Sequence, residues 1–225
     1  MNINAFRDRL VSTLGENLAC LIHMGSRVRG EARADSDFDF ALVLSEIDKS
    51  VLDGIRDVIS DLQLEHSDIS LYILDKQELD SPELPATHLQ FVYSETIYGK
   101  FDLPKPSVED IDTFVNMTRS EEKFALRHYL VLPHNTRKLV RRIALSLKYA
   151  YFCLTYLVYK ETGILPKTRI ETINYLQKKD SSKLLLPITI LKILEDWSVQ
   201  ETLATKDPRK YLHMLEEFWR TLELG

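Results

Sequence analysis

The sequence predicts an α+β fold, a small mixed β-sheet domain followed by an all-α helical bundle. Three observations predict it. Strand-like and helix-like periodicities alternate through the first hundred residues. A break over residues 99–107 carries two prolines and little periodicity. Beyond it the strand signals vanish, and the chain reads as a succession of amphipathic helices. The 225 residues suffice for two small domains, placed at 1–100 and 108–225.

The elements follow in order. Residues 4–14 space their apolar positions as a helix does, at Phe6, Leu10, Val11 and Leu14, and Gly15 is a natural stop. Residues 18–24 form a short apolar run suited to a buried strand. Residues 36–44 alternate and then become continuously apolar, again as a strand. Helical spacing returns over 51–62, and residues 68–74 alternate as a third strand. In the second half helices are predicted over 108–132, 135–160, 169–179, 184–198 and 208–224. Pro133 separates the first two, and Gly163 with Pro166 closes the second.

Composition narrows the setting. Charged residues make up 28% of the chain and hydrophobic residues 44%, as in soluble globular proteins. No apolar run reaches the roughly 18 residues of a bilayer span, and the start Met1-Asn2-Ile3-Asn4 has no signal-peptide core. No membrane partner is expected. Cys20 and Cys153 both lie in apolar periodic stretches and read as buried small hydrophobes. A reducing, cytoplasmic location fits. Residues 1–100 hold nine basic against eighteen acidic side chains, and residues 101–225 hold twenty against sixteen. An acidic half suits cations, a basic half suits phosphates or an acidic partner.

The chemistry-bearing stretch runs from Met24 through Gly25, Ser26, Arg27 and Arg29 to Ser36, Asp37, Phe38, Asp39 and Phe40. A strand ends at Gly25-Ser26, a short polar segment follows, and a second strand opens on Asp37-Phe38-Asp39. With a side-chain period of two, Asp37 and Asp39 share one face, their Cα atoms about 6.6 Å apart. Phe38 and Phe40 take the other face. Two carboxylates on a rigid face can share hard divalent cations, and Mg²⁺ accepts a few carboxylates completed by phosphate and water. Gly25 lets backbone approach a ligand closely; Ser26 offers a hydroxyl and an N–H. A helix over 26–34, if formed, would aim its N-terminus at the same phosphate.

This pattern resembles the signature of nucleotidyltransferases of the DNA polymerase beta superfamily. Its wording is most similar to the minimal nucleotidyltransferases, which include antitoxin partners of HEPN toxins, and to the aminoglycoside nucleotidyltransferases. The resemblance covers roughly residues 10–100. It implies Gly25 and Ser26 as triphosphate binders, and Asp37 and Asp39 as ligands of two Mg²⁺ ions. A third carboxylate is implied on a following strand: Asp68 fits best, with Glu65 as competitor. Arg27 and Arg29 are placed to contact phosphate, or else to support the loop. Residues 89–99 resemble the helix and the Ile97-Tyr98-Gly99 strand that end the minimal domain. The implied reaction is in-line attack on the α-phosphate of an NTP, ATP in the simplest case, with pyrophosphate leaving. The acceptor would be a hydroxyl of a small molecule, a protein side chain or an RNA end, bound in a cleft between the two halves.

An antitoxin-like interaction module with weak or absent catalysis is the alternative, and a homodimer stays open. His23 reads as a core residue or as support for the site. In the helical half, Arg137, Lys138, Arg141, Arg142 and Lys148 form a basic helix face, either solvated or turned to an anion. Glu121 and Glu122 are candidate bases for the acceptor. Arg127 and His134 fit the loose spacing of HEPN ribonucleases, so a HEPN-like fold without nuclease activity is one expectation for the bundle.

Overall fold

In a computed structural model of the chain the described residues are 1–32, 36–65, 68–80, 94–100, 106–179 and 184–222. They form two compact units, Met1–Pro106 and Ser107–Gly225.

The first unit is a four-stranded mixed sheet. Helix α1 (Ile3–Leu14) leads into β1 (Leu18–Met24), β2 (Phe38–Leu44), α2 (Lys49–Asp61), β3 (Ile69–Asp75), the short α3 (Lys76–Asp80) and β4 (Glu95–Gly99). The strand order is β3-β2-β1-β4. β1 is antiparallel to β2 and to β4, whereas β2 and β3 are parallel, joined across α2. Asn2 caps α1 by accepting the N–H groups of Asn4 and Ala5, and Asp48 caps α2 by accepting that of Val51. Such side-chain acceptors satisfy the donors left over in a first helical turn.

Strand alternation sorts the core. One set of buried side chains joins Phe6 and Leu10 of α1 and Ile55 and Val58 of α2 to Leu21, Phe40, Leu42 and Leu44 of the sheet. The Phe6 and Phe40 rings lie 5.0 Å apart between centroids. The alternate set, Cys20, Ile22, Met24, Ala41 and Val43, is buried too. At the sheet edge Gly99 has a φ of +74°, and a Cβ there would stand 2.1 Å from the Ala19 carbonyl oxygen. β4 therefore requires glycine to lie this close to β1.

The second unit is all helix among its described residues: α4 (Val108–Val131), α5 (Thr136–Thr162), α6 (Arg169–Lys178), α7 (Leu185–Glu195), α8 (Trp197–Lys206) and α9 (Pro208–Thr221). Ser107 and Asp110 form a reciprocal capping box on α4. Asn135 caps α5, Thr168 caps α6, and Asp207 caps α9 just before Pro208. Gly163 ends α5 in the left-handed conformation at φ 68°, as the sequence anticipates. The stretch predicted as one helix over 184–198 breaks at Asp196, and α8 starts a residue later. The amide of Asp196 reaches back to the carbonyls of both Lys192 and Leu194, a tightening that ends the α-helical ladder. Apolar spacing runs through this corner uninterrupted, so periodicity alone could not show it.

Polar groups are threaded through the bundle core. Trp219, fully buried, donates its indole N–H to Ser146 Oγ at 2.9 Å. Arg119 donates to the carbonyls of Trp219 and Arg220, each at 3.0 Å, which satisfies the open end of α9. Glu122 and Arg142 form an ion pair inside the bundle. Both cysteines are free and buried; burial pushes the Cys20 thiol up to about 11 and the Cys153 thiol up as well. Neither is a nucleophile at neutral pH.

Candidate functional site

β1 and β2 bring the chemistry-bearing residues together at one end of the sheet. Met24, the last residue of β1, pairs directly with Asp39 of β2. The chain then turns at Gly25 with φ +84°, and a Cβ there would sit 1.9 Å from Asp39 Oδ2. No side chain fits between this backbone and that carboxylate. Position 25 is therefore glycine for two reasons, its left-handed φ and the space it leaves at Asp39.

Residues 26–30 are a run of turns, not a helix. The amides of Arg29, Gly30 and Glu31 donate to the carbonyls of Gly25, Arg27 and Ser26. The anticipated helix N-terminus is thus absent over residues 26–32, and residues 33–35 lie outside the described set. Ser26 is half-buried, and its hydroxyl makes no hydrogen bond among the described residues.

The two arginines are both engaged. Arg27 donates from Nε to the Asp37 carbonyl at 3.1 Å and from Nη2 to the Ser36 carbonyl. Its guanidinium lies 3.9 Å over the Phe38 ring. Arg29 pairs with Glu31 at 3.1 Å, with side chains only 13% and 9% exposed. In this arrangement Arg27 braces the segment that presents Asp37. The sequence offered Glu31 as a near neighbour of Arg29, but no pattern announces an arginine that binds main-chain carbonyls nine and ten residues on. Arg27→Ala is expected to lower stability by about 1–3 kcal/mol, since it strips charged donors from two carbonyls. Urea denaturation would measure it, and an unchanged midpoint would show that the brace carries no stability.

Asp37 stands just ahead of β2 and Asp39 is its second residue. The Phe38 and Phe40 rings between and beyond them stack at 6.4 Å with an interplanar angle of 6°. His23 of β1 joins this stack, 5.0 Å from Phe40 and 6.0 Å from Phe38. It is 6% exposed, and its Nε2 has no hydrogen-bond partner among the described residues. Burial lowers its pKa; nearby Glu95 opposes this and Arg27 adds to it. The imidazole is a neutral member of an aromatic cluster that backs the two aspartates.

Asp68 stands just ahead of β3, and its carbonyl accepts the Phe38 N–H at 2.9 Å. The parallel register continues with Asp39 beside Ser70, so β2 and β3 run together from this point. The Asp68 side chain is exposed and Oδ2 accepts the Glu65 N–H at 2.9 Å. Asp68 is thus tied to the Glu65 main chain, and Glu65 is exposed too. Among the described residues no three carboxylate, imidazole or thiol side chains are gathered closely enough to hold a metal ion. Asp37 and Asp39 are the two hard carboxylates that could hold such an ion, since Mg²⁺ takes one or two carboxylates completed by substrate phosphates and water.

The helical candidates are distributed differently from the sequence expectation. Arg142 leaves the basic face, because its side chain is only 11% exposed and meets Glu122. Glu122 is held in that pair and is no base for an acceptor; Glu121 is exposed. Arg137 and Arg141, with Val140 and Ala144 of α5, line a groove of about 650 Å³ against Glu201 and Thr205 of α8. Arg127 donates to Glu216 Oε1 through Nε and Nη2 at 3.0 and 2.9 Å, while His134 stacks on Tyr129 at 4.4 Å. The helix suggested by the resemblance over residues 89–93 lies outside the described residues.

A mixed sheet with a glycine turn and an aspartate-bearing strand, followed by helices, is a nucleotidyltransferase-like α+β fold. The solved structure of spectinomycin adenyltransferase AAD(9) from Enterococcus faecialis, with ATP and spectinomycin, has this fold. It superposes at a TM-score of 0.55 over 97% of this chain and 98% of that one, at 18% identity. A toxin–antitoxin structure with AMP-PNP covers 58% of this chain at 19% identity, with a TM-score of 0.36, too slight a likeness to carry an argument. No protein-family model matches the sequence, and no curated protein matches it.

Proposed function

We propose that the chain is a nucleotidyltransferase that moves a nucleoside monophosphate, AMP from ATP in the simplest case, to a hydroxyl acceptor with two Mg²⁺ ions. The observation that carries this reading is the contact at Gly25, where backbone is pressed against the Asp39 carboxylate at the mouth of two adjacent strands. The fold shared with an adenyltransferase supports the same reading.

Each residue then has a task. Gly25 and Ser26 receive the triphosphate through backbone N–H and hydroxyl donors. Asp37 and Asp39 would hold the cations, which when bound would lower the pKa of the attacking hydroxyl and neutralise the leaving group. Arg27 positions Asp37 through the main chain. Arg29 reaches phosphate only by exchanging Glu31 for it. Asp68 completes the nucleophile side by turning from the Glu65 N–H toward Asp37 and Asp39. The acceptor hydroxyl gives up its proton to solvent as its oxygen bonds to the α-phosphorus, the bond from the α-phosphorus to the bridging oxygen breaks, and pyrophosphate leaves.

The decisive experiment is a screen of the four NTPs against hydroxyl acceptors, read as pyrophosphate release with and without Mg²⁺. ATP is the first donor to try and spectinomycin the first acceptor, since the structurally similar enzyme was solved with both. No Mg²⁺-dependent release with any pair would overturn the proposal. Asp68→Asn separates the roles of Asp68, because asparagine still accepts the Glu65 N–H. Turnover is expected to fall by about 10²-fold or more with the melting temperature unchanged. Full activity in this variant would remove Asp68 from the chemistry.

A further inference from the structure

The ion pair between Arg29 and Glu31 is unlike the surface pairs elsewhere in the chain. Both side chains are largely buried, 13% and 9% exposed, and both residues are tied by their main chains to the glycine turn. The Arg29 amide donates to the Gly25 carbonyl at 3.3 Å, and the Glu31 amide donates to the Ser26 carbonyl at 2.9 Å. Gly30 turns between them at φ +74°. A carboxylate is therefore anchored one backbone hydrogen bond away from the residue whose hydroxyl and N–H face phosphate in the proposed reaction.

The bond between the two side chains is one-sided. Arg29 Nε donates to Glu31 Oε2 at 3.1 Å, and neither terminal nitrogen of Arg29 makes a hydrogen bond among the described residues. A guanidinium binds an oxyanion best through two parallel N–H groups, so Glu31 satisfies Arg29 only in part. A terminal phosphate offers oxygens to both donors and carries more charge than a carboxylate, and it wins that exchange. The displaced Glu31 stays anchored to Ser26 beside an anionic ligand, and the repulsion opposes binding. We propose that Glu31 is a built-in competitor for the nucleotide's phosphates: it occupies Arg29 until a triphosphate takes its place, and so sets how tightly ATP binds. The inference rests on the reading of Gly25 and Ser26 as the triphosphate turn.

The test is the affinity for ATP, by titration calorimetry of the whole chain with Mg²⁺ and no acceptor. Glu31→Gln keeps the size of the side chain and an acceptor for Arg29 but loses the charge. It should bind ATP about tenfold more tightly than the wild type, the step between a charged and a neutral hydrogen bond, with an unaltered circular dichroism spectrum. Glu31→Ala, which leaves Arg29 no acceptor at position 31, should tighten binding too. In an Arg29→Gln background the gain from Glu31→Gln should vanish. Equal or weaker ATP binding by the Glu31 variants overturns the proposal, because Glu31 would then orient Arg29 instead of competing for it. A gain that persists without Arg29 also overturns it, since repulsion alone would then suffice. Tighter ATP binding with no transfer to any acceptor would uphold Glu31 as the competitor and sink only the assigned activity; no ATP binding by wild type or variants would sink both.

Discussion

Replacing Asp37 and Asp39 together with alanine is expected to abolish nucleotide transfer, by about 10³-fold or more, which is about 4 kcal/mol of barrier. The fold should survive the change. Asp37 precedes β2, Asp39 is its second residue, and neighbouring like charges repel, so their loss leaves the melting temperature equal or higher. Gly25→Ala should reach the same loss by a different route, since its Cβ would fall 1.9 Å from Asp39 Oδ2 and must displace that carboxylate. Pyrophosphate release across a Mg²⁺ titration measures both. If the double alanine variant turns over at saturating Mg²⁺, the metal assignment is wrong.

Glu122→Ala is expected to be the most damaging single change for stability, about 3–5 kcal/mol, because it strands the Arg142 charge inside the bundle. Glu122 is 3% exposed, and the pair is poorly aligned: Glu122 Oε2 and Arg142 Nε have no hydrogen-bond partner among the described residues. That geometry makes the companion outcome sharper. Glu122→Leu combined with Arg142→Met should recover most of the loss or exceed the wild type, since a packed apolar pair needs no desolvation of two ions. Chemical denaturation of the single and double variants gives the test. Equal destabilisation by both would mean that the pair is better satisfied than its contacts indicate.

The parts of the fold legible in the sequence are those set by local periodicity. Alternation at Phe38 and Phe40 against Asp37 and Asp39 placed the strand and its two faces, and the helical spacings of α1, α2 and α9 gave their buried sides. Gly163 and Pro133 marked helix ends because each forbids continuation by its own backbone chemistry. Residues that depend on distant partners were not legible. Arg142 was read with the basic face, although position 142 sits one helical turn before buried Ser146 and on the side that meets Glu122 of another helix. Arg27 and Arg29 carry the charge a phosphate would want, yet their nearest acceptors are two carbonyls and Glu31. The turn that replaces the anticipated helix after Ser26 has the same cause: hydrogen bonds to Gly25, Ser26 and Arg27 carbonyls close it locally, and no spacing of apolar residues records that.

The bond from the Phe38 amide to the Asp68 carbonyl gives the molecule a natural reporter. It is the first rung between the strand that carries Asp39 and the strand that Asp68 precedes, with no side chain of either aspartate involved. Solvent deuterium can reach this amide only when the strand mouth opens locally, so its exchange rate measures how often the two aspartate-bearing segments part. Nucleotide and Mg²⁺, by drawing Asp68 toward Asp37 and Asp39, should slow that exchange, whereas amides in the helical bundle should keep their rates. The proposed site could then be watched in a chain whose three aspartates are intact and to which no acceptor has been added.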